Sequence, residues 1–286
     1  MTMNISFTKM VGAGNDFVVV DARRRPRAGL DWASLSRTLC DRHTGIGADG
    51  VLVLEPSRAA DARMRVFNPD GSEAEMCGNG ARCVGLYLKN GAEQGPVRIE
   101  TKAGVLSGQV RSGRVAIRMT DPADLRLDVP VVVDGRRWRF GCVNTGVPHA
   151  VVRVDNLGAV DVQGLGRAVR FHRKFAPHGS NVNFIQTDSR HPDRLRIRTY
   201  ERGVEAETLA CGTGMAAAAI LHAVTRRPVR EGRIHIEVRP RSGDVIIVSL
   251  TVSRRGAALR VGDVVMEGAA TRVFDGTVTW PLRRTN

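Results

Sequence analysis

The chain has 286 residues, of which 42% are hydrophobic and 25% are charged. This length and composition exclude a disordered chain and fit a soluble protein of two ordinary domains. The net charge is +14, but the basic residues are scattered, and no RNP, KH or helix-turn-helix pattern accompanies them. We therefore interpret the charge as solvated surface and expect no nucleic-acid partner.

Cysteine content and the lengths of hydrophobic runs indicate the cellular compartment in which the protein is expected. Five cysteines are too few, and odd in number, for a disulfide framework in a chain of this length. The first residues lack the basic and apolar regions of a secretory signal, and the longest small or apolar run, Ala210 to Val224, is too short to span a bilayer. We expect a cytoplasmic protein with free thiols and no membrane contact.

In chain order, the first half reads as alternating short strands and helices. Residue patterns predict strand, glycine-rich turn and strand over 7–21, a helix over 31–43, strands at 51–54 and 64–67, a helix over 81–89 with a cap at Asn90-Gly91, and hairpins over 97–119. The Pro- and Asp-rich stretch 121–130 is predicted to connect the halves, and 270–281 to return to the first half.

The second half repeats this order. Its patterns predict strands over 131–155, a helix over 161–170, strands at 182–187 and 195–200, a helix over 212–225, and strands over 233–252. The sequence CGNGA at Cys77 recurs as CGTGM at Cys211, each preceded by G-x-E-A-E, and the stretches 14–21 and 98–101 have echoes in the same order at 146–155 and 235–238. Matches that keep both order and spacing indicate an internal duplication.

The predicted fold class is α/β, with two pseudo-symmetric domains. Each is expected to be a curved, mostly antiparallel sheet around a central helix, with an active site in the cleft between the domains. The domain boundaries predicted from the sequence are 1–120, completed by 267–286, and 121–266.

Each repeated cysteine is predicted to stand at the start of a helix. The N-terminal end of a helix presents unpaired N–H groups and a positive dipole end, which favour a thiolate and can hold a carboxylate. Two such thiols on either side of one carbon suit removal of a proton from one face and its return to the other. His149 and Glu201 are candidates to manage the thiol protons. The alternative for both cysteines is a structural role as small buried hydrophobes.

Five ordered motifs resemble those of the diaminopimelate epimerase family, over nearly the whole chain. They are GAGNDF from Gly12, FNPDGS from Phe67, CGNGARC from Cys77, YERG from Tyr200 and ACGTG from Ala210. The resemblance implies interconversion of LL- and meso-2,6-diaminopimelate by two cysteines without a cofactor, a step toward lysine and peptidoglycan, in a cytoplasmic homodimer whose partner is this small-molecule substrate.

The resemblance also implies site residues. Cys77 and Cys211 match the catalytic acid/bases, supported by His149 and Glu201. The implied substrate-binding residues are Asn15, Asn68, Asn181, Glu201 and Arg202, with donors to the reacting carboxylate at Gly78, Asn79, Gly212 and Thr213. No metal is expected, because Cys40-x-x-His43 has no second half of a zinc site.

Two departures from the family pattern keep alternatives open. The family often has Asn at the position of Val147 and Gln at that of Gly50. The first alternative is a related two-cysteine racemase or epimerase acting on histidine, proline or hydroxyproline. The second is a basic protein on this scaffold that binds nucleic acid through its arginines.

Overall fold

The computed structural model describes residues 2–24, 29–90, 94–226, 228–256 and 258–281. Gly91 of the predicted helix cap and residues 282–286 of the predicted first domain lie outside these ranges. The chain divides into two compact units, the first Met1–Ile117 with Ala269–Asn286 and the second Arg118–Gly268.

The first unit contains two helices and most of its strands in the N-terminal part of the chain. Its elements are β1 (Thr2–Gly12), β2 (Asn15–Asp21), α1 (Trp32–Cys40), β3 (Gly50–Glu55), β4 (Ala62–Phe67), β5 (Glu73–Ala74), α2 (Gly78–Leu88), β6 (Gly95–Thr101), β7 (Gly104–Arg111) and β8 (Arg114–Arg118).

The second unit repeats this arrangement. Its elements are β9 (Ala123–Val133), β10 (Arg136–Asn144), β11 (Pro148–Arg153), α3 (Val162–Arg170), β12 (Asn181–Thr187), β13 (Arg194–Glu201), β14 (Ala206–Thr208), α4 (Gly212–Thr225), β15 (Gly232–Arg239), β16 (Ile246–Arg255) and β17 (Ala258–Ala269), with short 3₁₀ turns at Leu157–Ala159 and Arg173–Phe175. The last strand, β18 (Thr271–Pro281), pairs antiparallel with β1 in the first unit.

Strand pairing shows the duplication directly. In the first unit β2 pairs parallel with β3, with Phe17 opposite Gly50, and β3 pairs antiparallel with β4. In the second unit β11 pairs parallel with β12, with His149 opposite Asn181, and β12 pairs antiparallel with β13. Each unit then adds one parallel pairing and an antiparallel hairpin. The predicted α/β class and duplication are confirmed.

A helix lies on each face of the first unit's sheet. Val51 and Val53 of β3 belong to the buried cluster that includes Leu35 and Leu39 of α1. Leu52, between them on the strand, faces the other side and approaches Gly80 of α2. A strand buried on both faces reads as an unbroken apolar run, which explains the sequence VLVL in β3.

The second cysteine-bearing helix, α4, is buried all round. Its sequence MAAAAIL combines four alanines, the strongest helix formers, with large apolar residues, and all seven are buried. By contrast, α3 presents one apolar stripe, with Val162 and Val169 in the core and Arg167 on the exposed side. The central helix α4 therefore fixes the position of its first turn, where Cys211 lies.

Most of the stretch 121–130, which is predicted to connect the halves, is a strand. The two units divide between Ile117 and Arg118, and residues from Ala123 onward form β9, which pairs with β10. Alternating apolar residues at Val129, Val131 and Val133 fill the core of the second unit, and their period of two outweighs the flanking prolines. Within the described ranges, no helix has the length and apolar character needed to cross a membrane.

Candidate active site

The first helix start is capped by Cys77 itself. Cys77 has extended backbone angles (φ −139°, ψ 115°), its carbonyl accepts the N–H of Ala81, and its Sγ accepts the N–H of Gly80 at 3.4 Å. This is the hydrogen-bond pattern of an N-cap residue, with sulfur in place of the usual oxygen. The N–H groups of Gly78 and Asn79 lie in the same turn and have no acceptor within the helix.

A polar chain runs from this turn to the β1–β2 hairpin. Arg82 donates to the Asn79 Oδ1 at 2.8 Å, and Asn79 Nδ2 donates to Asn15 Oδ1 at 2.5 Å. Asn15 Nδ2 then donates to Asp49 Oδ2 at 3.0 Å. The charged ends order the two amides, because a guanidinium can only donate and a carboxylate can only accept. Asn15 and Asn79, both predicted from the sequence, are thereby brought together in one fixed orientation.

Asp16 and two cations support the carboxylate end of that chain. Asp16 accepts from Lys9 at 2.7 Å and from Arg42 at 2.8 Å, and Arg42 also binds Asp49 at 2.8 Å. Burial raises the pKa of Asp16, but the hydrogen bonds from Arg42 and Lys9 outweigh it and hold the pKa at about 2. Asp16 is therefore ionised at neutral pH and anchors the hairpin that carries Asn15.

Asn68 lies apart from this chain, in the turn that follows β4. Its Nδ2 donates to Ser72 Oγ at 2.9 Å, and its backbone N–H donates to the Ser72 carbonyl at 2.8 Å. Among the described residues it has no hydrogen bond to Asn15, Cys77 or Asn79. The structure gives Asn68 a turn-forming role, and one amide hydrogen and the Oδ1 oxygen are not used in it.

The second helix start has the same backbone but a different cap. Cys211 has φ −121° and ψ 112° and receives the N–H of Met215 on its carbonyl, yet its side chain makes no capping bond to the helix. Its Sγ lies 3.6 Å from Thr213 Oγ1, and the Thr213 carbonyl accepts from Thr145 Oγ1 at 3.0 Å. The first turn of α4 is thus hydrogen-bonded to the loop after β10 through Thr145. Because the Cys211 side chain does not cap the helix, the first-turn N–H groups can donate to another acceptor.

The Glu201 carboxyl lies beside the Cys211 thiol. Burial raises the pKa of Glu201, while hydrogen bonds with Thr208 and with Cys211 oppose the rise. Thr208 Oγ1 donates to Glu201 Oε2 at 2.9 Å, which fixes the carboxyl at the end of β13. A buried carboxyl with a raised pKa in contact with a thiol is placed to exchange a proton with it.

His149 is buried on the sheet of the second unit, next to Asn183. His149 Nδ1 lies 3.1 Å from Asn183 Nδ2, and Asn183 also binds the Ala150 carbonyl and the Thr199 hydroxyl. Burial, with a smaller contribution from the charge of Arg202, lowers the pKa of His149 to about 3. Its Nε2 is buried and has no hydrogen-bond partner in the described part of the chain. His149 is a neutral imidazole with one unsatisfied nitrogen.

Asn181 and Arg202 form the last pair of predicted residues. Asn181 Nδ2 donates to the Pro148 carbonyl at 3.1 Å, and Asn181 Oδ1 accepts the backbone N–H of Arg202 at 2.9 Å. Asn181 therefore holds the backbone at Arg202. Arg202 is partly buried as a residue, but its guanidinium makes an exposed contact, donating to the His178 carbonyl at 3.5 Å, and has no carboxylate partner among the described residues.

The other three cysteines have structural environments. Burial raises the pKa of Cys40 and of Cys83 to about 12 and that of Cys142 to about 11. These thiols stay protonated and behave as small apolar side chains. In the ranges that the structure describes, no group of three or more His, Cys, Asp or Glu residues is placed to hold a metal ion.

Sequence reasoning missed the residues that hold the predicted ones in place, namely Asp49, Arg82, Asn183, Thr199 and Thr208. A signal was present for Asn183, which interrupts the apolar run of β12 two residues after Asn181, on the same face of the strand. No such signal marks Asp49, whose contact with Asn15 depends on how two loops meet. The predicted residues are recognisable because they lie in motifs, whereas their supports, apart from Arg82 in CGNGARC, lie outside the quoted motifs.

The family model described as diaminopimelate epimerase matches residues 7–125 and 141–273 of this chain. The curated diaminopimelate epimerase of Aquifex aeolicus is 40% identical over 96% of this chain and 98% of its own length. That of Archaeoglobus fulgidus is 40% identical over 96% of each chain. The aligned regions include both cysteine motifs and both units.

Solved structures share the fold at lower sequence identity. A PhzF-family phenazine biosynthesis protein from Bacillus anthracis has a TM-score of 0.73 and is 18% identical, covering 96% of this chain and 99% of that one. A hydroxyproline epimerase from Agrobacterium vitis has a TM-score of 0.68 and is 20% identical, covering 96% and 92%. These likenesses show the fold alone. The match of the family model to most of the chain, together with the near full-length relatives, shows that the chain belongs to the diaminopimelate epimerase family.

Proposed function

We propose that this protein interconverts LL- and meso-2,6-diaminopimelate without a cofactor, with Cys77 and Cys211 acting on one α-carbon from opposite faces. The observation that carries the proposal is the pair of cysteines, each the N-cap of a Gly-x-Gly helix, in a chain of this family. The proposed product serves lysine and peptidoglycan synthesis.

The proposed reaction needs no net change other than the position of one proton. One cysteine, as thiolate, removes the α-proton and becomes a thiol. The other cysteine, as thiol, gives a proton to the opposite face of the carbon and becomes a thiolate. Each turnover therefore inverts the centre and exchanges the protonation states of the two sulfurs, and the reverse reaction restores them.

The helix starts supply the electrostatic stabilisation in this scheme. Removal of the α-proton places negative charge on the carbon and its carboxylate. The first-turn N–H groups of α2 and α4, at Gly78, Asn79, Gly212 and Thr213, are proposed donors to that carboxylate. Their positions are fixed by burial of the helices, so little reorganisation is needed when the charge develops.

Glu201 is the proposed proton partner of Cys211. Its carboxyl is hydrogen-bonded with that thiol, and its raised pKa brings its ionisation closer to neutral pH. His149 is the proposed second supporting residue, because its buried Nε2 lacks a partner among the described residues. The two groups give the site one titratable carboxyl and one neutral imidazole.

Arg202 is proposed to bind the distal carboxylate of the substrate. Its guanidinium is accessible and has no carboxylate partner among the residues that the structure describes, and a distal carboxylate would supply one. The amides of Asn15, Asn68 and Asn181 each retain a hydrogen after their bonds within the protein, and they are proposed to complete this binding site.

The departures at Val147 and Gly50 occur at positions with defined local packing and hydrogen bonds. A Cβ at position 50 would lie 3.0 Å from the Phe67 carbonyl and 3.6 Å from the Phe17 ring, so the backbone is packed too closely there for an unshifted side chain. The glycine therefore matches a local close approach of β3 and β4. Val147 precedes β11, where Asn181 already binds the neighbouring Pro148 carbonyl.

We further propose that the protein is a cytoplasmic homodimer. Support for self-association comes from Val273 and Phe274 of β18, which are 53% and 47% exposed. As consecutive residues of a strand they lie on opposite faces of the sheet, so each face of β18 offers one exposed apolar side chain to a second copy. Light scattering behind size-exclusion chromatography, on wild type and Phe274→Ser, tests the dimer; a monomeric wild type would refute it.

A substrate panel in D₂O tests the proposed function. Purified, reduced protein is given LL- and meso-diaminopimelate, L-histidine, L-proline, hydroxyproline and L-lysine, and α-deuterium uptake is followed by NMR. We expect exchange and inversion with diaminopimelate alone. Exchange with only another amino acid would replace the substrate, and no exchange with any would refute the function. A DNA-binding titration in low salt is run in parallel to test the nucleic-acid alternative.

A further inference from the structure

Asn183 lies at the centre of a buried hydrogen-bond network in the second unit. Its Nδ2 lies 3.2 Å from the Ala150 carbonyl and 3.1 Å from His149 Nδ1. Its Oδ1 accepts from Thr199 Oγ1 at 3.0 Å. Asn183 and Thr199 are 0% and 3% exposed, so no solvent replaces these contacts.

The network distinguishes the oxygen from the nitrogen of the Asn183 side-chain amide. A backbone carbonyl can only accept, so the amide atom facing Ala150 must be the NH₂ group. The second hydrogen of the same NH₂ then points at His149 Nδ1. A hydrogen on Nδ1 would face this N–H group, and the contact would be repulsive. Nδ1 must therefore be the unprotonated nitrogen, and a neutral ring then carries its hydrogen on Nε2.

We propose, on the basis of the proposed function, that Asn183 is a positioning residue which holds His149 as the neutral Nε2–H tautomer. In this form His149 serves the reaction as a hydrogen-bond donor to a negatively charged acceptor, and not as a proton acceptor. Its Nε2 atom is buried without a partner in the described part of the chain, as expected of a donor that awaits a ligand or a thiolate.

Two further features agree with this role. Burial and the charge of Arg202 lower the pKa of His149 to about 3, so the imidazolium form is absent at neutral pH. A Cβ on Gly214 would lie 2.5 Å from Asn183 Oδ1, so the first turn of α4, which follows Cys211, packs directly on the amide. Asn183 thus links the imidazole to the helix that carries one thiol.

The fold does not require this network. The strand positions of His149, Asn183 and Thr199 in the second unit correspond to Phe17, Leu52 and Val66 in the first. Gly80, the counterpart of Gly214, packs on Leu52 in the same way as Gly214 packs on Asn183. Since the first unit builds the same architecture with apolar side chains, the polar set in the second unit points to chemistry.

The tautomer is measured by NMR of protein labelled with ¹⁵N-histidine, without substrate. A protonated and an unprotonated imidazole nitrogen resonate far apart, and the His149 signals are identified by their loss in His149→Phe. We expect Nδ1 to be unprotonated and Nε2 protonated in the wild type. In Asn183→Asp a carboxylate replaces the donor, so the hydrogen should move to Nδ1. Thr199→Val is the matched control: it removes a buried hydroxyl from the network but leaves the NH₂ contacts, so the tautomer should be unchanged.

A hydrogen on Nδ1 in the wild type, or unchanged His149 signals in Asn183→Asp, would overturn the proposal. If Asn183→Asp does not fold, Asn183→Leu replaces it, because it copies Leu52 of the first unit; the proposal then requires a mixture of tautomers, and a retained single Nε2–H form would contradict it. None of these readouts depends on turnover, so a failure of the α-proton exchange assay would remove the proposed function without deciding the tautomer. Loss of diaminopimelate turnover in a folded Asn183→Asp variant whose tautomer has changed links the tautomer to the reaction.

Discussion

The two cysteine-bearing helix starts have the same backbone conformation, but the side chains around them differ in polarity. Both cysteines are extended N-cap residues, followed by Gly-x-Gly and placed above a parallel strand pair. Below the first lie Phe17, Leu52 and Val66, and its polar contacts run along the helix through Asn79 to Asn15.

The strands beneath the second helix start carry polar side chains where those beneath the first carry apolar ones. The floor consists of His149, Asn183 and Thr199, while the positions that match Asn15 and Arg82 hold Val147 and Ala216. Each unit therefore keeps one buried polar network against the first turn of its helix, but on a different side. The two units share the backbone that presents the thiol and differ in the groups around it, which suits the proposed reaction with two proton carriers.

The largest expected effect is loss of either thiol. Cys77→Ala and Cys211→Ala should each lower the turnover of diaminopimelate by roughly 10³-fold or more, because one face of the carbon loses its proton carrier. Cys40→Ala, which removes the buried thiol at the end of α1, should remain within a few-fold of wild type. Steady-state rates with both isomers measure this. Near-normal turnover in either catalytic variant would show that one unit suffices.

The distal binding residues should contribute unequally. Arg202→Met should raise KM about 10- to 100-fold with little change in kcat, because a charge-assisted hydrogen bond to a carboxylate is lost. Asn68→Ala, in the first unit, should raise KM only about 5-fold, since it removes a neutral hydrogen bond. Initial rates against substrate concentration separate the two. Equal effects on KM would contradict the assignment of the distal carboxylate to Arg202.

Adding a methyl group in the first helical turn should affect the second unit more than the first. In Gly214→Ala the new Cβ would lie 2.5 Å from Asn183 Oδ1, which is fixed by its hydrogen bonds. We therefore expect the free energy of unfolding to fall by about 1–3 kcal/mol. In Gly80→Ala the Cβ would lie 3.0 Å from a Leu52 methyl group, which can shift. The free energy of unfolding should therefore fall by less than about 1 kcal/mol. Urea unfolding measures both, and the reverse order would show that Asn183 is not held in place.

Acid should destabilise the second unit through a buried histidine. His222 binds Arg153 on Nδ1 and the Pro192 carbonyl on Nε2. Burial lowers its pKa from 6.5 to about 4 although the bond to Pro192 opposes this. Because the folded pKa is below the unfolded one, its contribution to stability is complete above about pH 6.5 and is lost as pH falls toward 4.

The variant His222→Gln should therefore flatten the fall of the urea midpoint between about pH 7 and about pH 5. His43→Gln, at an exposed histidine of the first unit, is the control and should keep the wild-type slope. An unchanged slope in His222→Gln would mean that the buried imidazole is not the group that titrates.

Much of the fold could be predicted from the sequence because its signals are local. Helix α4 was predicted at 212–225 and lies at Gly212–Thr225, since an alanine-rich run after Gly-x-Gly leaves little alternative. The part of strand β9 before residue 131 was missed because prolines and aspartates conceal its alternating pattern. Periodicity fails where polar residues cover one face of a strand and turn-like residues flank it.

The thiols were predictable, but their surroundings were not. Cys77 and Cys211 stand in a repeated motif, and Asn15 and Arg202 lie in motifs of the family. The pairing of Asn15 with Asp49, or of His149 with Asn183, depends on strand register, which the sequence does not state. The difference between the two thiol sites therefore became visible only in the structure.

The most direct test of a two-thiol reaction is an early time course of LL-diaminopimelate in D₂O with wild-type protein. With one proton carrier on each face, we expect deuterium at the inverted centre of the first meso product, while the remaining LL substrate keeps its α-hydrogen. Deuterium that enters the remaining substrate as fast as the product would show a single exchanging base, and would contradict a reaction shared between Cys77 and Cys211.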